Sequence, residues 1–378
     1  MKQIFLLFTV IAVISCAGRV DDNLGPHETR YLTIDPSKEK WMDVSEYDIV
    51  DVLPLDLPEK YPAIVVRDIQ IANDRIYILD QLANKTVLMF DTNGKFISQL
   101  GRVGHARNEY VKAPESFSVD EKTGIAYLYD RDSDKILKFD SEGKFLESIE
   151  FKNCVPGSFA VTGNANFLCC SERGMNDEDA QLALYDKDGR LIESFLAAPS
   201  VKKLSLMGKP IYKDGDRISC YPFLSDSIVV FKGDELDYTI KIDFQGQFTP
   251  EEIRKKSMEE GDFMPLYEHK GAQFIDQIEV TDSLIHVGYA YNLTYSHFVK
   301  NMSNGKTYNT THGPLFHGYV PMSEFYVAKD KLLYYIDEEH VNAFNPNKPE
   351  VRNSSKPTML DIMDKKYKFP LIMMVKLK

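Results

Sequence analysis

The chain is poor in tryptophan and cysteine, carries no surplus of positive charge, and has no long apolar run after its first residues. One Trp stands against 22 Phe and 21 Tyr in 378 residues. Lys and Arg number 45 against 57 Asp and Glu, a net charge of −12. A nucleic-acid protein needs a basic face to displace counterions from phosphates, so no nucleic-acid partner is expected. Five cysteines include no C-x-x-C spacing, which argues against a zinc or thioredoxin-like site. No P-loop, G-x-G-x-x-G or H-E-x-x-H motif occurs, and no G-x-S-x-G nucleophile elbow. The apolar run at the C-terminus, Phe369 to Val375, is far too short to span a bilayer. Hydrophobic residues at 43% and charged residues at 27% are the proportions of a folded chain. Abundant Tyr and Phe favour strands over helices.

What is present begins with an address. The chain opens MKQIFLLFTVIAVISC, with Lys2 ahead of an apolar run from Ile4 to Ile14. That run is too short for a stable span and reads as a signal-peptide core over 1–15. Val13-Ile14-Ser15-Cys16 resembles a bacterial lipobox, in which the Cys16 thiol is acylated and becomes the first mature residue. An ordinary secretory signal with a coincident Cys is the alternative. Three acyl chains would supply the two or more anchors that stable attachment needs. Residues 16–46 are polar and broken by Gly25-Pro26 and Asp35-Pro36, so a flexible tether is expected after the lipid. By analogy with Gram-negative sorting, Ala17 after Cys16 favours the outer membrane, with the chain facing periplasm or cell surface. Asp21-Asp22 resembles surface-export signals of Bacteroides-type lipoproteins.

Self-similarity is the strongest internal signal. DRIYILDQLANKTVLMFDTNGKFISQLG at 74–101 aligns with TGIAYLYDRDSDKILKFDSEGKFLESIE at 123–150. Each has a β-rich run ending in Asp (Asp80, Asp130), a polar turn, a run ending Phe-Asp, a Gly-Lys-Phe turn and a further run. Gly94 and Gly143 stand 49 residues apart, and LALYDKDGRLIESF places Gly189 another 46 on. Short alternating runs rich in β-branched and aromatic residues are strands. Asp-x-x-Gly turns supply the positive φ that joins antiparallel neighbours. Such a sheet cannot bury both faces alone, so about four strands per unit at this period make a propeller blade. Degenerate copies follow at Ile211–Ile242, at Phe274–Tyr308 and from Gly318 to the end. The expected fold is all-β: a six-bladed β-propeller of four-stranded antiparallel blades over 47–378. The run from Tyr47 to Leu55 and the run from Lys368 to Leu377 should close the same blade, because a ring otherwise leaves an unpaired edge. One short helix is expected at about 249–261, from Thr249 as N-cap to Gly261, polar and lying on the rim.

These residues resemble the six-bladed β-propeller lipoproteins of the Bacteroides type, related to NHL-repeat propellers. The lipobox, the block IYILD…VLMFDTNGKFISQLGRVGHARNEY, its second copy and the apolar C-terminal strand carry the likeness. Relatives have a run G-x-G-x-G-P-x-E-Y after the first full repeat. Gly101, Gly104, Glu109 and Tyr110 match it, while His105 to Asn108 depart. The resemblance implies fold and address but no settled activity.

Chemistry is sparse. DRDSDK at 130–135 opens like a calcium loop, but its sixth position is Lys135 and its twelfth Ser141, so a turn between strands is the simpler reading. No cofactor or metal is expected. Calcium enters only if a Glu, Asn and Asp converge on the axis as in a propeller lactonase. His312 and His317 flank a Gly-Pro turn with no acidic third ligand. Asn292, Asn301, Asn309 and Asn353 begin glycosylation sequons that a bacterial lipoprotein makes coincidental. Cys154, Cys169, Cys170 and Cys220 read as buried thiols, with a Cys154–Cys170 bridge as the alternative. Cys169 and Cys170, adjacent in a strand, should face opposite ways.

Surface remains. Arg102, His105, Arg107, Glu109 and Tyr110 fall in an inter-blade loop, and Tyr289 and Tyr291 in the fifth blade. All seven are candidates for a ligand, since aromatic faces beside polar groups suit sugars or peptides. Strand packing and blade spacing are the competing roles. Two functions follow. One is a monomeric, non-catalytic, outer-membrane lipoprotein whose propeller face binds a protein, peptide or glycan. The other is a metal-dependent hydrolase or lyase with its site at the channel mouth.

Overall fold

The computed structural model describes residues 27–43, 45–61, 63–151, 156–171, 180–197, 208–247, 250–260, 264–311, 325–342, 357–358, 361–362 and 364–378. Expectations at Cys16, Cys154, Thr249, Gly261, His312, His317 and Asn353 lie outside them.

Six sheets form six blades. Two strands precede the first complete blade: β1 (Glu28–Thr33) and β2 (Tyr47–Pro54). Blade I holds β3 (Val66–Ala72), β4 (Arg75–Asp80), β5 (Thr86–Asp91) and β6 (Phe96–Leu100). Blade II holds β7 (Ser116–Val119), β8 (Ala126–Asp130), β9 (Lys135–Phe139) and β10 (Phe145–Glu150). Blade III holds β11 (Ser158–Val161), β12 (Phe167–Cys170), β13 (Ala180–Tyr185) and β14 (Leu191–Ala197). Blade IV holds β15 (Ile211–Asp214), β16 (Arg217–Cys220), β17 (Ser227–Lys232) and β18 (Glu235–Asp243). Blade V holds β19 (Ala272–Val280), β20 (Leu284–Tyr291), β21 (Thr294–Asn301) and β22 (Thr307–Thr311). Blade VI holds β23 (Tyr326–Ala328), β24 (Lys331–Ile336), β25 (Leu371–Leu377) and, outermost, β2.

The termini close that last blade as expected. β2 runs antiparallel to β25, with Tyr47 opposite Leu377 and Pro54 opposite Leu371. Joining an early strand to the final one leaves no gap in the ring.

The middle strands of a blade are buried on both faces, which is why RIYILD and TVLMFD read as nearly continuous apolar runs. Alternation divides them between two neighbours. Tyr77, Leu79, Val87 and Met89 pack with Phe117, Leu128 and Leu137 of blade II. Ile76, Ile78, Leu88 and Phe90 pack with Leu333, Ile372 and Met374 of blade VI. Each such side chain contributes about 1.5–3 kcal/mol. Cys169 and Cys170 obey the same rule: Cys169 packs with Tyr129 of blade II, Cys170 with Ile218 of blade IV.

The repeated aspartates have two structural jobs. Asp91, Asp140 and Asp186 each accept two backbone N–H groups of their own turn with Oδ1. The following Gly94, Gly143 and Gly189 hold φ near +80°. Asp80 ends β4 and is fully buried. It accepts the N–H groups of Leu82, Ala83 and Val65 and the Asn84 amide. It thereby locks its own turn to the chain entering the blade. Asp130 repeats this with the N–H of Val111 and the Ser133 hydroxyl, so DRDSDK is a turn between strands.

Two expectations need correction. Residues 28–43, placed in a tether, are part of the folded body. β1 adds to blade IV as a fifth strand, parallel to β18. The chain then crosses the edge of blade V, where Lys40 and Asn309 exchange backbone hydrogen bonds at 2.7 and 3.1 Å. Asp-Pro and Gly-Pro breakers mask this because a single edge strand needs only six residues and a partner. The expected helix forms as α1 (Pro250–Glu260), but it is not the only one. α2 (Met264–Glu268) and α3 (Glu338–Asn342) accompany it. α1 is also not confined to the surface, because Ile253 is buried against Leu266 and Phe244.

Candidate functional site

The innermost strands β3, β7, β11, β15, β19 and β23 surround the axis. They run from the face that carries the blade-to-blade links (the linker face) to the face that carries the first hairpin of each blade (the hairpin face). A cavity of about 610 Å³ follows this axis. Toward the linker face it is lined by Arg67, Asp68, Glu115, Arg131 and Lys209, and toward the hairpin face by Glu121, Asp214 and Lys329 to Lys331.

Blade IV shapes this channel because the segment entering it leans inward. The Lys209 N–H donates to the Asp276 carbonyl of blade V at 2.7 Å. Its side chain crosses the axis, and Nζ lies 2.5 Å from Asp68 Oδ1 of blade I. Asp68 is also held by Gln70 Nε2 at 3.0 Å, and the same amide donates to the Phe117 carbonyl of blade II. Arg67 donates to the Gly208 carbonyl at 3.2 Å. Gly208 permits that approach, since a β-carbon there would lie 2.6 Å from the Asp276 carbonyl oxygen. Tyr212 donates its hydroxyl to the Val327 carbonyl of blade VI at 2.9 Å. Lys213 Nζ donates to the Val119 carbonyl of blade II at 2.9 Å.

Electrostatics in the wall are tuned by burial. Burial pushes the Lys213 amine below its usual range, against the pull of Glu121 and Asp120. Burial raises the Asp214 carboxyl, and the Glu121 charge adds to it. The arrangement offers facing cations and anions, among them the pairs Asp68–Lys209 and Glu115–Arg131, around a space of ligand size.

None of the seven sequence candidates lines this cavity. The glycine-rich loop joins β6 to β7 and is built as a clamp. Arg102 Nε donates to Glu109 Oε1 at 2.6 Å, and the Ala106 N–H donates to Glu109 Oε2 at 2.9 Å. The Ala106 amide and then Arg102 hold the Glu109 carboxyl below its usual range. A β-carbon on Gly104 would sit 2.0 Å from Glu109 Oε2, and one on Gly101 2.8 Å from the Tyr110 ring. Those contacts explain the matched glycines. Tyr110 is fully buried in the core between blades I and II, so it presents nothing to a ligand. Arg102, His105 and Arg107 are exposed on the loop. Tyr289 is likewise fully buried and donates to Asn309 Oδ1 at 2.7 Å. Tyr291 is half-buried against the same core. Tyr110 and Tyr289 are therefore packing residues, and the expectation of a binding surface at these two positions is corrected.

Sequence reasoning missed Asp68, Lys209 and Lys213. The available signal was charge inside the otherwise apolar first run of a repeat. It also missed a buried polar chain in blade V. Gln277 donates to Glu279 Oε1 at 2.5 Å, Glu279 Oε2 meets His286 Nδ1, and His286 Nε2 lies 3.0 Å from His297 Nδ1. All three ionisable members are buried. Among the described residues, no group of three His, Cys, Asp or Glu side chains is arranged to hold a metal ion. Cys169, Cys170 and Cys220 are buried, and the alternative bridge from Cys170 to Cys154 falls outside the described residues. Asn301 and Asn309 of the sequons are buried. Among the described residues no helix is long and apolar enough to cross a membrane.

The sequence family described as Domain of unknown function (DUF4934) matches residues 54–365. No curated protein matches the chain. A solved structure of a Bacteroides fragilis protein described as exported shares 18% identity, with a TM-score of 0.71, covering 93% of this chain and 99% of that one. A member of the duf4221 family from Bacteroides vulgatus shares 14% identity, with a TM-score of 0.51, covering 88% and 98%. At such identities the likeness is one of fold.

Proposed function

The chain belongs to the DUF4934 family, and from that premise we propose that it is an outer-membrane lipoprotein whose propeller binds a short peptide without transforming it. The observation that carries this reading is the axial cavity of about 610 Å³ with its facing charges. Asp68 is paired with Lys209, and Arg131 lies 3.7 Å from Glu115. Such groups can exchange partners with the charged termini and side chains of a peptide. Aromatic side chains at the wall, such as Phe117 and Phe159, are buried in blade packing and offer no open platform for a sugar ring. The lipobox ending at Cys16 and the following Ala17 support the address.

The test is a thermal-shift titration of the full chain with short zwitterionic peptides, neutral oligosaccharides and divalent cations. A ligand that binds only the folded state raises the melting temperature with concentration. A saturable shift with peptides that weakens in the Arg131→Ala variant supports the reading. A shift with oligosaccharides alone overturns the peptide assignment. A stoichiometric cation that stabilises the chain favours the hydrolase or lyase alternative.

A further inference from the structure

We propose that Lys213 is a covalent capture point in the axial cavity: its amine condenses with the carbonyl carbon of a small aldehyde or ketone and holds it as a reversible imine. The site lies toward the hairpin face and goes beyond the peptide reading. It engages neither of the pairs, Asp68–Lys209 and Glu115–Arg131, on which that reading stands.

The first observation is placement. Lys213 is the last residue but one of β15, the innermost strand of blade IV, and pairs with Ile218 across the first hairpin. Its side chain does not stay with its own blade. Nζ donates to the Val119 carbonyl at 2.9 Å, at the end of the innermost strand of blade II. Blade III separates these two blades, so the side chain crosses part of the channel, and Lys213 lines the cavity. The backbone that carries it is fixed on both sides. Before it, the Tyr212 hydroxyl donates to the Val327 carbonyl at 2.9 Å. After it, the Gly215 N–H donates to Glu121 Oε1 at 2.8 Å. The wall at this end includes Ile71, Ala72, Val119 and Ala328, which suit a short uncharged chain.

The second observation is the company the amine keeps. Four lysines line the cavity: Lys209, Lys213, Lys329 and Lys331. Lys209 is paired with Asp68. Lys213 is hydrogen-bonded to a neutral carbonyl instead, and among the described residues no carboxylate is in contact with its amine. Glu121 and Asp120 attract it from a distance. Both are engaged elsewhere, Glu121 with the Gly215 N–H and Asp120 with the Lys122 N–H and the Thr123 hydroxyl. Burial outweighs their pull and favours the uncharged amine. An uncharged amine still donates one N–H to Val119 while its lone pair is available, which is the state a nucleophilic lysine requires.

The step balances without an oxidant or a cofactor. The Lys213 lone pair attacks the carbonyl carbon, and a nitrogen proton passes to the carbonyl oxygen. The second nitrogen proton and the hydroxyl leave as water when the C=N bond forms. Addition of water reverses the sequence and frees both partners. The charge of Glu121 is felt at both Lys213 and Asp214, so it is placed to relay these protons through channel water.

The experiment treats the full chain with propanal at neutral pH, with and without cyanoborohydride, and maps the modified lysines by peptide mass. With reductant, Lys213 should be alkylated several-fold faster than Lys329, which lines the same cavity and is exposed. Access alone would give the opposite order. Without reductant the adduct should disappear on dilution, as an imine does. The Lys213→Met variant should lose the fast phase and leave the other lysines at their original rates. If that variant fails to fold, the map of the unaltered chain decides. Alkylation of Lys213 no faster than Lys329, or an adduct that survives dilution without reductant, overturns the proposal. No arm uses a peptide, so the peptide reading can fail while this one stands, and the reverse.

Discussion

Lys209 Nζ and Asp68 Oδ1 meet at 2.5 Å across the propeller axis, joining blades IV and I on opposite sides of the ring. Their side chains are only 16% and 12% exposed, so each charge depends on the other for its solvation. Removing one partner strands a charge in a partly dry channel. Asp68→Ala or Lys209→Ala should each lower stability by about 2–4 kcal/mol, with the double Asp68→Leu, Lys209→Met recovering most of the loss. Urea denaturation of the four proteins tests it, and simple additivity of the two single losses would refute the coupling.

The turn glycines differ in a measurable way. Gly94 has φ +79°, and a β-carbon there would lie 2.0 Å from the Pro54 carbonyl oxygen, whereas Gly305, at φ +72°, has open space. Gly305→Ala should cost about 1–2 kcal/mol, the strain of left-handed backbone alone. Gly94→Ala should cost about 2 kcal/mol more, because the chain joining blade VI to blade I must move. Equal losses by calorimetry would mean that this chain yields without penalty.

Asp80 serves four donors from inside the core. Asp80→Ala should cost about 3–5 kcal/mol, since buried N–H groups lose their acceptor. Asp91→Ala, in an exposed turn with two such bonds, should cost about 1 kcal/mol. Reversal of that order in chemical denaturation would show that the link into blade I does not depend on Asp80.

Acid stability should carry the signature of Glu109. Its folded carboxyl is held below the ordinary 4.5 by the Ala106 amide and Arg102. The contribution is therefore present above about 4.5 and is lost as pH falls through the lowered folded value. Glu109→Gln should flatten the stability profile below about pH 4.5 while changing little of its slope at higher pH. Parallel profiles for the two proteins across that acid range would dismiss the clamp as an electrostatic element.

The repeat was legible because its physics is local. An Asp that accepts its own turn amides, a Gly at positive φ and an alternating run each act within a few residues, so Asp91–Gly94 and Asp140–Gly143 announce hairpins directly. The matched Gly101, Gly104, Glu109 and Tyr110 were also legible as a motif. Their meaning was not, because it lies in a contact: the glycines make room for Glu109 and Tyr110, and both side chains face inward. Tyr289 misled for the same reason, since a tyrosine in a strand reads identically whether it packs in the core or faces solvent.

By itself the sequence determined the class, the number of blades and the closing pair β2–β25. Hydrophobic period, turn chemistry and repeat length are properties of neighbouring residues. Only the tertiary structure decided that β1 joins blade IV, that Lys209 reaches Asp68, and that Glu279, His286 and His297 form one buried chain. Those contacts join residues from 7 to 210 positions apart. They depend on strand register and on the rotation of one blade against the next, which no local pattern encodes.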